Sequence, residues 1–451
     1  MTQRSVATSA ICVLTVLAMA AGAGAQTDKR IFGDIRTRGE AYDNLFDLDD
    51  KARTDDSAQF FLVRTRLGAD ARLAEDVHAY IRILNQYQAG NAQMGGADRT
   101  VTSVDNAFIE LPGLGGLPLT LKLGRQDLSY GEGWIIKEGT PQDGPRSFGF
   151  DAVKLSYRPG DGKRVFDLLA AKTVEGDVGT ADDSDLYGIY VTDNCPTPHR
   201  LEYYALCLNQ NGDVVRRSGA NASRRMPEKL VDTFGARLSG KATDQLCYAT
   251  EWAKQYGTRR NVQNTDDVAI DAWAGYAHAE YSIGCPCSPT AEMGYWFFSG
   301  DGDGTAADGE YRGWDPIFAE YCFLGQYGRA NKDLFDNLKG GSNAYNAVWG
   351  VPDNDPDYGM WTNMHMARAG VCFMPVKKLN CIVRYQHWLA DKNNGPGGGS
   401  TRGGNWVAKV SYKLAADLTT FIHFEHFNPG DYYLASADDF WFARWQVLVQ
   451  F

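Results

Sequence analysis

Two short segments carry arginines two residues apart. Arg36 and Arg38 lie in IFGDIRTRGEA (31–41), and Arg64 and Arg66 lie in FFLVRTRLGADARL (60–73), where Asp70 and Arg72 continue the same parity. In an extended chain, residues at i and i+2 point to one side, so each pair presents two guanidinium groups together. Guanidinium holds its charge at any physiological pH and grips carboxylates through paired hydrogen bonds. The chemistry on offer is therefore recognition of acidic groups. Reading the same parity along the chain adds Arg82, Lys154, Arg158, Arg237, Arg384, Lys409 and Arg444 to the polar face. Asp34, Glu40, Asp70, Glu251, Glu280 and Glu425 share that face and would temper its field. A wall in which arginine and carboxylate pair only to fill space is the plainer reading of the same residues. Nothing in the sequence is arranged for bond-breaking: there is no G-x-S-x-G, H-E-x-x-H or phosphate loop. His423 and Glu425 lie close to His426, but alternation puts His426 on the opposite face. No enzyme is expected.

The elements that position these charges are alternating strands. Phe61, Val63, Leu67, Ala69 and Leu73 oppose the arginines of 60–73, and period-2 alternation is the strand signal. The segment 119–157 repeats it as a hairpin, with Leu119, Leu121 and Leu123 on one face, then a Gly- and Pro-rich loop, then Val153, Leu155 and Tyr157. Tight turns, such as 113–116, 159–163, 241–244, 285–290, 375–378 and 415–417, take turns with long loops, such as 90–103, 129–147, 212–227, 300–361 and 392–404. Tight turns at one end and long loops at the other build an outer-membrane barrel, and the runs number about 18. The chain is thus expected to be all-β, a single transmembrane antiparallel β-barrel with tight periplasmic turns and long extracellular loops. Strands apolar on one face and charged on the other separate lipid from water in such a barrel. A charge turned to lipid at mid-depth would cost about 2–4 kcal/mol, which sets the arginines toward the lumen.

Both ends of the sequence fit. Arg4, the apolar run 10–20 and Ala23-Gly24-Ala25 read as a signal peptide over 1–25, leaving 26–451 as one barrel domain. The last run alternates Trp441, Ala443, Trp445, Val447, Val449 and Phe451 against Phe442, Arg444, Gln446 and Gln450. An ending of this kind resembles the assembly signal that the barrel-assembly machinery reads. Net charge is −11, and the acid concentrates in loop-like segments such as 43–56, 175–185, 301–310 and 353–357. That balance excludes nucleic acid as a partner.

Two further groups are candidates. Asp301, Asp303, Asp308 and Glu310 offer oxygen ligands of the kind calcium takes, without the spacing of an EF-hand loop. A solvated acidic loop is the other reading. Cys372 and Cys381 flank the turn 375–378, and a two-residue turn at Val376-Lys377 would set them opposite each other, as a candidate disulfide. Cys285-Pro286-Cys287 falls in another tight turn.

Several segments together resemble the alginate-export family of outer-membrane porins. They are VRTRLGADARL (63–73), LKLGRQDLSYGEG (121–133) with RSFGFDAVKLSY (146–157), FFSGDGDGTAADGEYRGWDPIFAEY (297–321), and FEHFNPGDYY (424–433) with the last strand. The resemblance implies a single 18-stranded barrel with an electropositive pore that passes an anionic polysaccharide outward. The residues matching its basic strand and its Gly-Arg-Gln hairpin are Arg64, Arg66, Arg125 and Arg146. Strict alternation puts Arg125 on the lipid face, so it must sit at the loop base above the membrane or follow a bulge. The expected surroundings are outer-membrane lipid, and the expected cargo is alginate, a related polyuronate or a small anionic solute. Two alternatives stand beside export: a diffusion porin for small anionic or sugar nutrients, and a surface-binding barrel whose long loops carry the function.

Overall fold

The computed structural model describes residues 29–44, 48, 57–89, 99–138, 149–174, 183–194, 198–211, 215–218, 222–225, 228–260, 267–302, 308–317, 362–393, 395 and 397–451. Its framework is eighteen barrel strands. In chain order they begin β1 (Lys29–Asp43), β2 (Ala58–Ala74), β3 (Val77–Ala89), β4 (Arg99–Pro112), β5 (Leu119–Gln126) and β6 (Phe150–Tyr157). They continue with β7 (Arg164–Val174), β8 (Ser184–Asp193), β9 (His199–Gln210), β10 (Lys229–Lys241), β11 (Leu246–Arg260) and β12 (Asp267–Ser282). They end with β13 (Thr290–Phe298), β14 (Met364–Val376), β15 (Leu379–Leu389), β16 (Thr401–Ala415), β17 (Leu418–Pro429) and β18 (Phe440–Gln450). Each strand pairs antiparallel with its sequence neighbours, and β18 pairs with β1 from Asp34↔Gln450 to Asp43↔Trp441, which closes the barrel. Closure removes the unpaired edge that an open sheet would present. Tight turns such as 75–76, 377–378 and 416–417 lie at the end that holds Lys29 and Gln450, the periplasmic end of such a barrel.

Burial is inverted relative to a water-soluble sheet. Ile31, Phe61, Met293, Trp406 and Ile422 are more than half exposed on the outer wall, whereas Arg36, Arg38, Arg64 and Arg444 are at most 1% exposed inside. Apolar residues outside and charges inside suit a wall between lipid and a polar lumen. Aromatics such as Trp252, Tyr256, Trp273, Tyr295 and Trp445 lie on the outer surface, where amphipathic rings favour the interfaces.

The closing seam depends on bare backbone. Gly33 on β1 exchanges backbone hydrogen bonds with Phe451 at 2.9 and 3.0 Å. A Cβ at Gly33 would lie 2.5 Å from the Arg66 carbonyl oxygen and 2.7 Å from the Phe451 ring. Gly33→Val should therefore weaken the seam by about 1–3 kcal/mol, the usual cost of overpacking. Urea titration of the heat-modifiable, folded form on gels should show a lower midpoint for this variant, and an unchanged midpoint would refute the packing argument.

Candidate functional site

Register decides which charges meet. Across β1 and β2, Arg36 lies opposite Arg64 and Asp34 opposite Arg66. Across β1 and β18, Arg38 lies opposite Gln446 and Glu40 opposite Arg444. Asp34 accepts from Arg64 Nη2 at 3.1 Å and from Arg66 Nε. Glu40 Oε1 accepts from Arg444 Nε at 2.7 Å and from Arg38 Nη1 at 3.4 Å. Arg38 also donates to Gln446 Oε1 at 2.6 Å. The buried charged side chains of β18, β1 and β2 are five arginines and two carboxylates. Like charges set directly opposite each other destabilise a sheet, and Arg36 with Arg64 is such a pair.

The far side of the barrel is different. Arg237 on β10 is held by Glu202 of β9, and donates to Glu132 Oε1 at 2.9 Å and Tyr276 Oη at 3.1 Å. Glu251 accepts from Tyr204 at 2.9 Å and Tyr276 at 3.0 Å. Lys154 pairs with Asp167 at 3.6 Å. Onto this wall folds the loop that follows β5, pinned by its own short ladder of Leu128–Ser129 against Lys137–Glu138. Tyr130 stacks on Tyr190 at 4.1 Å and donates to Asp167 at 3.1 Å. Glu132 reaches His278 Nε2 at 2.9 Å. Trp134, fully buried, stacks on Trp314 at 5.5 Å and meets Tyr276 edge-on. The loop thus covers the β7–β13 half of the lumen, opposite the arginine-rich seam.

The extracellular connections are tied together above it. Asn363 and Lys392 exchange hydrogen bonds at 3.1 and 2.6 Å, and Arg402 Nη1 donates to the Thr362 and Asn363 carbonyls at 3.2 Å each. Asp391 accepts from the Gly300 N–H at 3.0 Å. Partial burial alone would raise the Asp391 pKa, but His365, the Gly300 N–H and Lys392 outweigh it and hold the carboxyl at about 2.

The remaining expected pore residues are placed unevenly. Arg82 faces the lumen with Asp105 and Asp127, and Arg384 grips Glu292, its Nη2 lying 2.9 Å from Oε2. Lys409 points inward over the Phe421 ring at 4.1 Å. Arg72 and Arg158 are exposed at the periplasmic rim, where Arg72 donates to the Glu75 carbonyl. They end their strands too late to line the pore. Arg125 corrects the pore role that the family resemblance implied, not the parity. Its strand runs without a bulge from Leu119↔Tyr157 to Gln126↔Phe150, so Arg125 keeps the outward parity of Leu123 and pairs with Asp151 at 2.6 Å on the outer surface. Arg146 lies outside the described residues.

The other candidates do not assemble. The Arg312 N–H donates to Asp301, and the Arg312 guanidinium takes Asp308 at 2.7 Å and Glu310 besides. These carboxylates gather on a cation of the protein's own, and Asp303 lies outside the described residues. Among the described residues no group of three or more His, Cys, Asp or Glu converges for a metal. Cys372 and Cys381 are free thiols. The turn falls at 377–378 and a bulge follows, so Cys372 lies opposite Ile382 and Cys381 opposite Phe373. That one-residue offset sends the two sulfurs to opposite faces, and Cys372 donates instead to Asn380 at 3.0 Å.

Glu132, Trp134, Arg368 and Arg402 escaped the parity reading. The first two sit in a loop, and the signal that could have found them is Trp134-Ile135-Ile136, an apolar triplet inside a Gly-rich connection, which needs something to pack on.

A sequence model of the family described as alginate export matches residues 28–441. No curated protein matches the chain in sequence. Among solved structures, Pseudomonas aeruginosa OpdQ is similar at 13% identity and TM-score 0.57, over 94% of this chain and 99% of its own. Pseudomonas aeruginosa OpdK, solved with vanillate, has 12% identity and TM-score 0.56, over 93% and 98%. Acinetobacter baumannii OccAB4 has 12% identity and TM-score 0.57, over 94% and 99%. At these identities the likeness is one of fold.

Proposed function

The chain belongs to the alginate export family, and on that premise we propose that it passes an acidic polysaccharide, alginate or a related polyuronate, outward through a basic lane in its lumen. The protein is a porin-like channel of the bacterial outer membrane and not an enzyme. The observation that carries the finer reading is the arginine-rich seam of β18, β1 and β2, with Arg36 and Arg64 directly opposite each other. A stripe of guanidinium groups offers uronate carboxylates repeated sites. Conduction needs that repetition, because a single tight site would trap the polymer. On this reading the lane follows the seam, and the loop 127–138 covers the facing wall. Arg384 and Lys409 extend the cationic surface beyond the seam. Residues 1–25 act as the signal peptide, and the aromatic-rich strand β18 as a cue for barrel assembly.

Planar-bilayer recording tests this reading. In a salt gradient the wild-type channel should prefer anions, and uronate oligomers should block its current where neutral oligosaccharides of equal length do not. Equal block by both classes would favour a general sugar porin, and no block by either would favour a barrel whose loops carry the function.

A further inference from the structure

One turn at the periplasmic rim is built to hold two sulfurs together. Between β12 and β13 the chain runs Ile283-Gly284-Cys285-Pro286-Cys287-Ser288-Pro289. The Ser288 N–H donates to the Cys285 carbonyl at 2.8 Å, which closes a four-residue turn with Pro286 at its second position. Proline there fixes φ in advance and favours that turn. The Ile283 N–H donates to the Pro289 carbonyl at 2.7 Å and seals the base. The Met374 N–H of the neighbouring strand β14 donates to the Cys287 carbonyl at 2.8 Å and anchors one side. With the backbone so constrained, Cys285 Sγ and Cys287 Sγ lie 3.6 Å apart, in contact. Cys285 is exposed, and Cys287 is half-buried.

The other described thiols do not compete. Cys372 is engaged with Asn380, Cys381 faces the opposite side of the sheet, Cys207 lies on β9 beside Asp232, and Cys247 lies on β11 opposite Glu280. The local carboxylates and histidines do not complete a metal site with the pair. The compartment at this end of the barrel is oxidising.

We propose that Cys285 and Cys287 form an exchangeable disulfide, oxidised by a periplasmic protein disulfide. Cys285, the exposed member, loses its proton and attacks one sulfur of the oxidant's disulfide. A mixed disulfide forms and the oxidant's second sulfur leaves as a thiolate. Cys287 then loses its proton and attacks Cys285 Sγ, expelling the oxidant's first sulfur. Two protons and two electrons pass to the oxidant, which leaves as a dithiol. Exposed disulfides are the ones that exchange, whereas buried structural ones resist reduction. The rim therefore carries a thiol pair that reports and responds to the redox state of the periplasm, independently of the cargo.

The test uses full-length protein in cells quenched with acid, with free thiols then blocked by maleimide. Mass spectrometry of the peptide spanning 285–287 should find it two hydrogens lighter and unblocked. Cys285→Ser should return Cys287 to maleimide reactivity, while Cys372→Ser should leave the 285–287 peptide oxidised. Both variants should keep the gel shift of a folded barrel, since one change is in an exposed turn and the other is small. Graded glutathione buffers should reduce and reoxidise the pair reversibly in the folded protein. Both thiols blocked in quenched wild-type cells, or either one bonded to a different cysteine, would overturn the proposal. So would oxidation that persists unchanged in cells lacking their periplasmic dithiol oxidase.

Discussion

Replacing Arg64 and Arg66 together by glutamate will turn the channel from anion-preferring to cation-preferring. The seam of β18, β1 and β2 holds five buried arginines and two buried carboxylates. In the double variant it would hold three and four, so the sign of its charge reverses. A field inside a narrow, partly desolvated lumen acts on ions far more strongly than the same charges in bulk water. The reversal potential in a salt gradient should therefore change sign. Block by uronate oligomers should fall as well. A hydrogen bond to a charged group is worth about 1.5–3 kcal/mol, and two lost donors weaken block by roughly a hundredfold to ten-thousandfold at about 1.4 kcal/mol per factor of ten. Asp34 loses both of its guanidinium partners in this variant, and a pair broken inside a protein costs about 3–5 kcal/mol. Arg36, opposite position 64, would then face an acid and recover part of that. The companion variant Arg64→Gln with Arg66→Gln leaves three arginines against two carboxylates, spares the added repulsion and should weaken anion preference without reversing it. Wild-type and variant reversal potentials that coincide would mean that the arginines fill the wall and do no more.

Parity makes most of this framework readable from the sequence. Alternation at Phe61, Val63 and Leu67 fixed the lipid face of β2, and with it the direction of Arg64 and Arg66, because a side-chain period of two leaves no third choice. The same rule put Arg125 outside, and the structure leaves it there. Parity says nothing about depth, which is why Arg72 and Arg158 were expected in the pore and instead reach the rim. Turn position was the other blind spot. A shift of the turn by one residue, with a bulge to absorb it, separated Cys372 from Cys381. Sequence alone did not choose between 376–377 and 377–378, since Pro375-Val376-Lys377-Lys378 holds no glycine or asparagine to mark the left-handed position that Lys378 takes at φ 74°. The loop 127–138 was invisible for a deeper reason. Its partners Arg237, His278 and Trp314 lie more than a hundred residues away in sequence, and no local period encodes such a meeting.

Trp134→Ala will release that loop from the far wall and raise single-channel conductance. The indole is fully buried, stacked on Trp314 with the planes 16° apart, edge-on to Tyr276 at 72° and within 6.1 Å of Phe298. Truncating a buried tryptophan costs about 3–5 kcal/mol, which raises the undocked fraction by roughly a hundredfold to several thousandfold. Among the contacts that remain are the Glu132 bridges to Arg237 and His278, the stack of Tyr130 on Tyr190 with its hydrogen bond to Asp167, and the buried Leu128, Ile135 and Ile136. Both bridges are polar, and water reaching the site would weaken them. The barrel itself should persist, because its strands pair without any help from the loop. Single-channel current should rise and become noisier, and the loop should become a site of protease cleavage in folded protein. Anion preference should survive, because the arginine seam is untouched on the opposite wall. Trp445→Ala is the control: its indole lies on the outer surface over Gly39, so it should leave conductance unchanged. If Trp134→Ala exposes the loop to protease yet conductance stays at the wild-type value, the loop does not bound the lane and the narrowest point lies elsewhere along the arginine seam.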